Sequence, residues 1–456
     1  MAVRDLRRSR VRHHPGVQED LHGRVGGTCR HRSHRGSPQG APGRRGWGPS
    51  GVHRMSLSAA RHIGSDVCGL PPVAAGIDGE LAELDRQLDW LLALSPVDND
   101  GLWESFRSSG YTRVEPLRYI DLEIDLDDAR QRLLDLPIDR IESPLLEGLL
   151  SEKQRELERQ VELVRLRGTD GFVTASLDLF GGVDATLLEL ACDILREVPH
   201  GRALVADAGI DEVLEAVEAE LDWYRQRAPD FHADIVVDTD IGSMMMVSHG
   251  TFYVDGDIRL PHARIQPLVQ HEIGTHVVTR YNGSKQPLRQ LEVGLAHYDA
   301  LQEGLGVLAE YLAGYLSGDR LRVLAARVVA VDMAIHGDGI AQIFACLHET
   351  HGLPTDDAFD IAVRALRGGG LTKDAVYLSG LCDLIAHLHA GNPLVPLLMG
   401  KFALSHRVVL DQLVEHGWAV PPALLPRYFD HPEFEARLAH CRETGIIDFY
   451  HLEPRS

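Results

Sequence analysis

The run His271-Glu272-Ile273-Gly274-Thr275-His276 sets two imidazoles on either side of a carboxylate. Twenty-seven residues past His276, another carboxylate, Glu303, stands in Gln302-Glu303-Gly304-Leu305. Two histidines and a glutamate can hold one zinc ion and leave a coordination position open to water. A glutamate next to a ligand, itself unligated, can accept that water's proton. This is the chemistry of a zinc hydrolase.

The spacing sets a condition on the backbone. In the familiar zinc-peptidase motif the histidines are four apart on one helical face. Here they are five apart, and on an ideal helix positions i and i+5 point about 140° apart. A single π-bulge absorbs the extra residue and returns both rings to one face. Gly274 is the residue type that tolerates such a distortion. The flanks read as helix: Pro267 suits a first turn, and Val269, Ile273 and Val277 form an apolar stripe. Tyr281-Asn282-Gly283 predicts the end of that helix. A second helix, with Leu301, Leu305, Leu308 and Leu312 inward, carries Glu303 near its start. Spacing alone leaves the third ligand open among Glu303, Glu292, His297 and Glu310. Glu310, two turns beyond Glu303, is also placed to fix a histidine tautomer. Thr275 either bonds inside the bulge or simply packs.

His-Glu-Ile-Gly-Thr-His, then Gln302-Glu303-Gly304-Leu305-Gly306, then Gly368-Gly369-Gly370-Leu371-Thr372-Lys373-Asp374-Ala375-Val376-Tyr377-Leu378 come in that order. Together they resemble the bacterial flavohemoglobin expression-modulating QEGLA motif family and its eukaryotic relatives, the microtubule-associated tyrosine carboxypeptidases. The similarity runs from about residue 75 to the C-terminus. Gly306 stands where the family motif has alanine, and Leu371 where it has phenylalanine. The resemblance implies His271, His276 and Glu303 as ligands of one zinc ion per chain and Glu272 as the catalytic acid/base. It also implies a carboxypeptidase acting on a peptide or protein C-terminus.

Such an enzyme needs a cation for the terminal carboxylate, and Arg364, Arg367 and Lys373, with Tyr377, cluster around the glycine run. A solvated basic turn followed by an ordinary helix explains the same residues. Arg280 and Arg289 are further candidate cations, or helix C-terminal charges. Upstream, 233–238 and 244–254 read as strands, the second a candidate to pair with extended substrate, and Asp255-Gly256 as a turn before 258–260. Met244, Met245 and Met246 read as packing rather than a copper site. His249 and His262 read as structural.

The chain has 456 residues, 44% of them apolar, with a formal charge of −21. Residues 1–54 hold twelve arginines against three acids, so the remainder carries about −30. That opening lacks apolar periodicity and reads as disordered. It reads either as a basic tail or as an upstream stretch ahead of a start at Met55, and it has no signal-peptide pattern. Residues 55–205 are expected to form a helical N-terminal region and 206–456 a catalytic domain. The acidic remainder disfavours nucleic acid, and no apolar stretch is long enough to cross a membrane. Six scattered cysteines without a Cys-x-x-Cys pair fit a reducing cytoplasm. The expected fold is α+β, predominantly helical, with a zincin-like core of a small sheet and a HExxxH helix. The expected function is a zinc metallocarboxypeptidase; a zinc hydrolase of non-peptide amides and a regulatory protein with structural zinc are the alternatives.

Overall fold

Apolar residues three and four apart recur through most of the chain, and helices follow from them. A computed structural model describes residues 69–453, apart from 98, 123, 202–203, 240–242 and 368–370. The expected disordered segment 1–54 lies outside the described residues. The fold is predominantly helical α+β. Helix α1 spans Pro72–Leu88, α2 Pro144–Arg165, α3 Ala185–Glu197 and α4 Ile210–Arg225. The side chains of Ser143 and Asp184 accept backbone N–H groups at the starts of α2 and α3. One apolar core runs from Ala74 on α1 to Phe449 near the C-terminus, joining helices from both sides of residue 205. Among the described residues no helix is long and apolar enough to cross a membrane.

A two-stranded ladder pairs β1, Pro96–Val97, with β2, Arg118–Tyr119. The larger sheet has the order β3-β5-β4. Strand β5 (Thr251–Asp255) is central, parallel to β3 (Asp234–Asp238) and antiparallel to β4 (Met245–Ser248). Alternate residues of β5, Phe252 and Val254, are fully buried. They belong to a second core with Val269, Ile273 and Val277. The sheet therefore packs on the helix that carries the histidines.

The stretch 244–254, read from sequence as strand throughout, is instead a hairpin. His249 and Gly250 take φ of 45° and 87° and turn the chain between β4 and β5. Two left-handed residues in succession suit the twist of a tight hairpin. His249, an unusual residue type in that conformation, is held there by charge. Its Nε2 lies 3.6 Å from Asp85 and its Nδ1 3.8 Å from Asp89 at the end of α1. Ser248 Oγ donates to Asp89. Asp85 in turn meets buried Lys153 on α2 at 2.8 Å.

The histidine-bearing helix is continuous but not uniform. Helix α5 covers Ile265–His271, a π segment Glu272–Val277, and α6 Val278–Ser284. The helix ends at Ser284, one residue past Gly283, but neither Asn282 nor Gly283 takes the left-handed conformation of a cap, because tertiary contacts claim both. Asn282 donates to the carbonyls of Leu398 and Leu424 and accepts from Leu424 N–H. A Cβ on Gly283 would lie 2.1 Å from Leu291 O. Helix α7, Asp299–Leu312, carries Glu303, and every residue from Leu301 to Leu312 is buried. Further on come α8 (Gly318–Ile335), α9 (Thr355–Leu366) and α10 (Val376–His389).

Helices α7 and α10 meet backbone to backbone. A Cβ on Gly380 would lie 1.8 Å from Ala300 O, and one on Gly304 2.6 Å from Gly380. Gly380→Ala is expected to destabilise the fold by about 1–3 kcal/mol or more through overpacking, read by chemical denaturation. A second expectation concerns the hairpin. Burial opposes a charged His249, but Asp85 and Asp89 outweigh it and lift its pKa from 6.5 to about 9. A raised pKa stabilises the folded state fully below the unfolded value and no longer above the folded one. The melting temperature should carry a component that falls between about pH 6.5 and 9. His249→Asn should remove that slope.

Candidate metal centre

The π segment does what the five-residue spacing demands. Its wider turn brings His271 and His276 to the same side, with ring centroids 5.1 Å apart. Thr275 Oγ1 reaches back to Gln270 O at 3.1 Å, five residues earlier, so the hydroxyl does bond within the distortion. Thr279 continues the pattern, donating to Thr275 O and to Gln302 Oε1. Gly274 leaves room for the Gln270 side chain, whose Oε1 a Cβ there would meet at 2.6 Å and push aside.

Glu303 comes up from α7 beneath the two rings. Its Oε2 lies 3.6 Å from His271 Nε2 and 3.8 Å from His276 Nε2. One donor atom from each of the three residues lies within 4.8 Å of the others. Two imidazole nitrogens and a carboxylate converging in this way suit zinc. Burial holds His276 neutral, with a pKa down at about 3, the form in which an imidazole is a ligand. His271 differs: burial opposes its charge, yet Glu303 and Glu310 lift it to about 10.

The surroundings fix each donor. His271 Nδ1 lies 3.0 Å from Glu310 Oε1, leaving Nε2 toward Glu303. Glu310 therefore has the orienting role open to it from its position on α7. Arg320 bonds Glu310 at 3.1 Å, and Arg264 stands 3.7 Å away. Lys373 donates to Glu303 Oε1 at 3.1 Å and lies 3.2 Å from Asp299. Burial opposes ionisation of Glu303, but Lys373 and the histidines hold it well below the usual carboxylate range. The imidazole of His271 lies flat against Gly306, where a Cβ would come within 2.5 Å of Nε2.

Glu272 is buried next to His271. Its backbone N–H bonds Leu268 O and Val269 O within the helix, while its carboxylate has no ion pair among the described residues. Burial, reinforced by Glu303 and Glu310 and opposed by His271, pushes its pKa to about 7. Together with the triad it lines a cavity of about 520 Å³. Met245, Met246 and Val247 of β4 border the same cavity, so this edge strand runs beside the histidines.

Arg364, Arg367, Lys373 and Tyr377 all line that cavity too. Arg364 gives two hydrogen bonds to Asp374, at 2.9 and 2.7 Å. Tyr377 presents its ring to Lys373, whose Nζ is 5.7 Å from the centroid. The other acids and histidines considered lie apart from the triad. Glu292 pairs with Arg280 at 3.0 Å, and His297 is exposed, its backbone N–H donating to Glu156. Arg289 uses its backbone N–H on Asp78, and His262 its own on Asp207. Sequence reasoning did not find Arg320 or Arg264 as partners of Glu310, and no local motif marks either.

A family described as microtubule-associated tyrosine carboxypeptidase matches residues 104–445. Curated relatives named microtubule-associated tyrosine carboxypeptidase 1 are 27% identical over 199 residues in Homo sapiens and 26% over 196 in Rattus norvegicus. Each match covers 40% of this chain and 40% of the relative, so the similarity spans about two fifths of those proteins.

The Glu310–His271 contact yields an expectation. Glu310→Gln should keep the fold but weaken metal binding about 10- to 100-fold, because it loosens the tautomer and orientation of His271. Competition with a chelator of known affinity would measure it.

Proposed function

The chain belongs to the microtubule-associated tyrosine carboxypeptidase family, and on that premise we propose that it is a zinc-dependent carboxypeptidase. Its substrate would be a peptide or protein from which it removes the C-terminal residue. The observation that carries this reading is the convergence of His271, His276 and Glu303 beside an uncommitted, buried Glu272. A site holding metal for structure alone has no need of that fourth group.

A zinc ion held by the three side chains would supply Lewis acidity, polarising the scissile carbonyl and acidifying a water molecule. Glu272 is the group placed to take the proton from the attacking water and return it to the leaving amine. Its pKa, pushed to about 7 by burial, suits a residue that must gain and lose a proton in turn. Glu310, backed by Arg320, holds His271 with Nε2 toward the shared centre. Lys373 keeps Glu303 ionised and still. The outer edge of β4 pairs with no strand among the described residues. It offers backbone N–H and C=O groups to an extended peptide lying in the cavity.

His271→Ala should abolish zinc in the purified protein, read by elemental analysis. Glu272→Gln should retain it while turnover falls about 10²- to 10⁴-fold. Incubation with peptides of varied C-termini, followed by mass spectrometry, should show loss of single C-terminal residues. Internal cuts would make the protein an endopeptidase, and full zinc in His271→Ala would refute the ligand set.

A further inference from the structure

Four of the positive groups around the cavity are matched by carboxylates. Arg320 bonds Glu310, Arg364 holds Asp374 with two hydrogen bonds, and Lys373 meets Glu303 and Asp299. Arg264 shares Glu310 from 3.7 Å. Arg327 on α8 is different. Among the described residues it makes no ion pair and no hydrogen bond, and its Nε is buried without an acceptor. It still lines the cavity that holds His271, Glu272, His276 and Glu303. Its guanidinium packs over the ring of Tyr377 at 5.0 Å, while Lys373, the partner of Glu303, sits 5.7 Å from the same ring.

A guanidinium whose Nε is buried without an acceptor is costly unless an anion completes it. Asp374, the nearby carboxylate, already gives both oxygens to Arg364. Guanidinium donors in a planar fork suit one ligand above others, a carboxylate taken by two parallel hydrogen bonds. A peptide brings such a group at one place, its C-terminus. We propose that Arg327 is the specificity-determining anchor for the substrate's terminal α-carboxylate, with the Tyr377 ring as its support. The inference rests on the peptidase reading for its substrate. It adds the reason why the enzyme would cut from the end of a chain rather than within it.

The test compares one peptide with a free C-terminus and its C-terminal amide, in wild type, Arg327→Gln and Arg327→Lys. Wild type should favour the free acid in kcat/KM, and Arg327→Gln should lose about 100-fold on the acid with little change on the amide. Arg327→Lys, keeping charge without the fork, should fall between. The melting temperature of the free protein should hold or rise in Arg327→Gln, because an uncompensated charge is removed. A drop of several degrees in both variants would show a structural arginine and overturn the proposal. So would an unchanged acid-to-amide ratio in Arg327→Gln, or no acid preference in wild type. Fluorescence polarisation of the same two peptides, dye-labelled, on Glu272→Gln protein separates this from the peptidase reading. If wild type cuts nothing, yet Glu272→Gln protein binds the acid better and loses that preference with Arg327→Gln, the anchor stands and the peptidase reading fails. If neither turnover nor binding distinguishes the peptides, both fail.

Discussion

Glu303 is a carboxylate taken into the interior, and it stays ionised only because positive or polar partners reach it from separate parts of the chain. His271 and His276 come from the distorted helix and Lys373 from the segment before α10. Each would be a poorly solvated group without the others, so the pieces of the fold that carry them must close on one point. Buried charge tolerates little slack. The site is therefore also a fastening between the core of helices and the layer formed by the small sheet.

The same logic extends outward. Glu310 balances His271 against Arg320, and Asp374 balances Arg364. Glycines let the elements approach closely enough for these pairs to form: Gly304 and Gly380 at the helix crossing, Gly306 beneath the imidazole, Gly283 beside Leu291. Gly306 shows how local fit answers to composition. The family motif has alanine there, and in this chain the ring of His271 fills the space a methyl would take. The substitution that looked minor in the sequence is tied to the placement of His271.

What could be read without coordinates was what is local. The motifs picked out His271, His276 and Glu303, which do converge, and a spacing of five demands the π turn that is found. The leucines of α7 announce a buried helix but not its extent, since every residue from Leu301 to Leu312 is buried and the helix has no outward face. Unreadable were contacts between distant segments: Lys373 reaching Glu303, or Arg264 and Arg320 closing on Glu310. No periodicity encodes them. Two local signals also misled. His249, an unlikely residue type for a left-handed turn, hid the hairpin because its stabilising charges come from α1. Asn282-Gly283, which sits within a residue of the true end, resembled a left-handed cap because residues used for tertiary contacts are the same types that cap helices.

The inserted residue within Glu272–Val277 has an evolutionary side. Every position after it is rotated by about 100° relative to an uninterrupted helix. Asn282 and Gln286 lie downstream, and in that rotated frame they grip the backbone at Leu398, Met399, Val420 and Leu424. A deletion that restored regular winding would swing both amides off those stretches of chain at the moment it misaligned His276. The convergence of His271 and His276 on Glu303 and the C-terminal attachment thus share one phase, and neither can drift in a lineage unless the other moves in step.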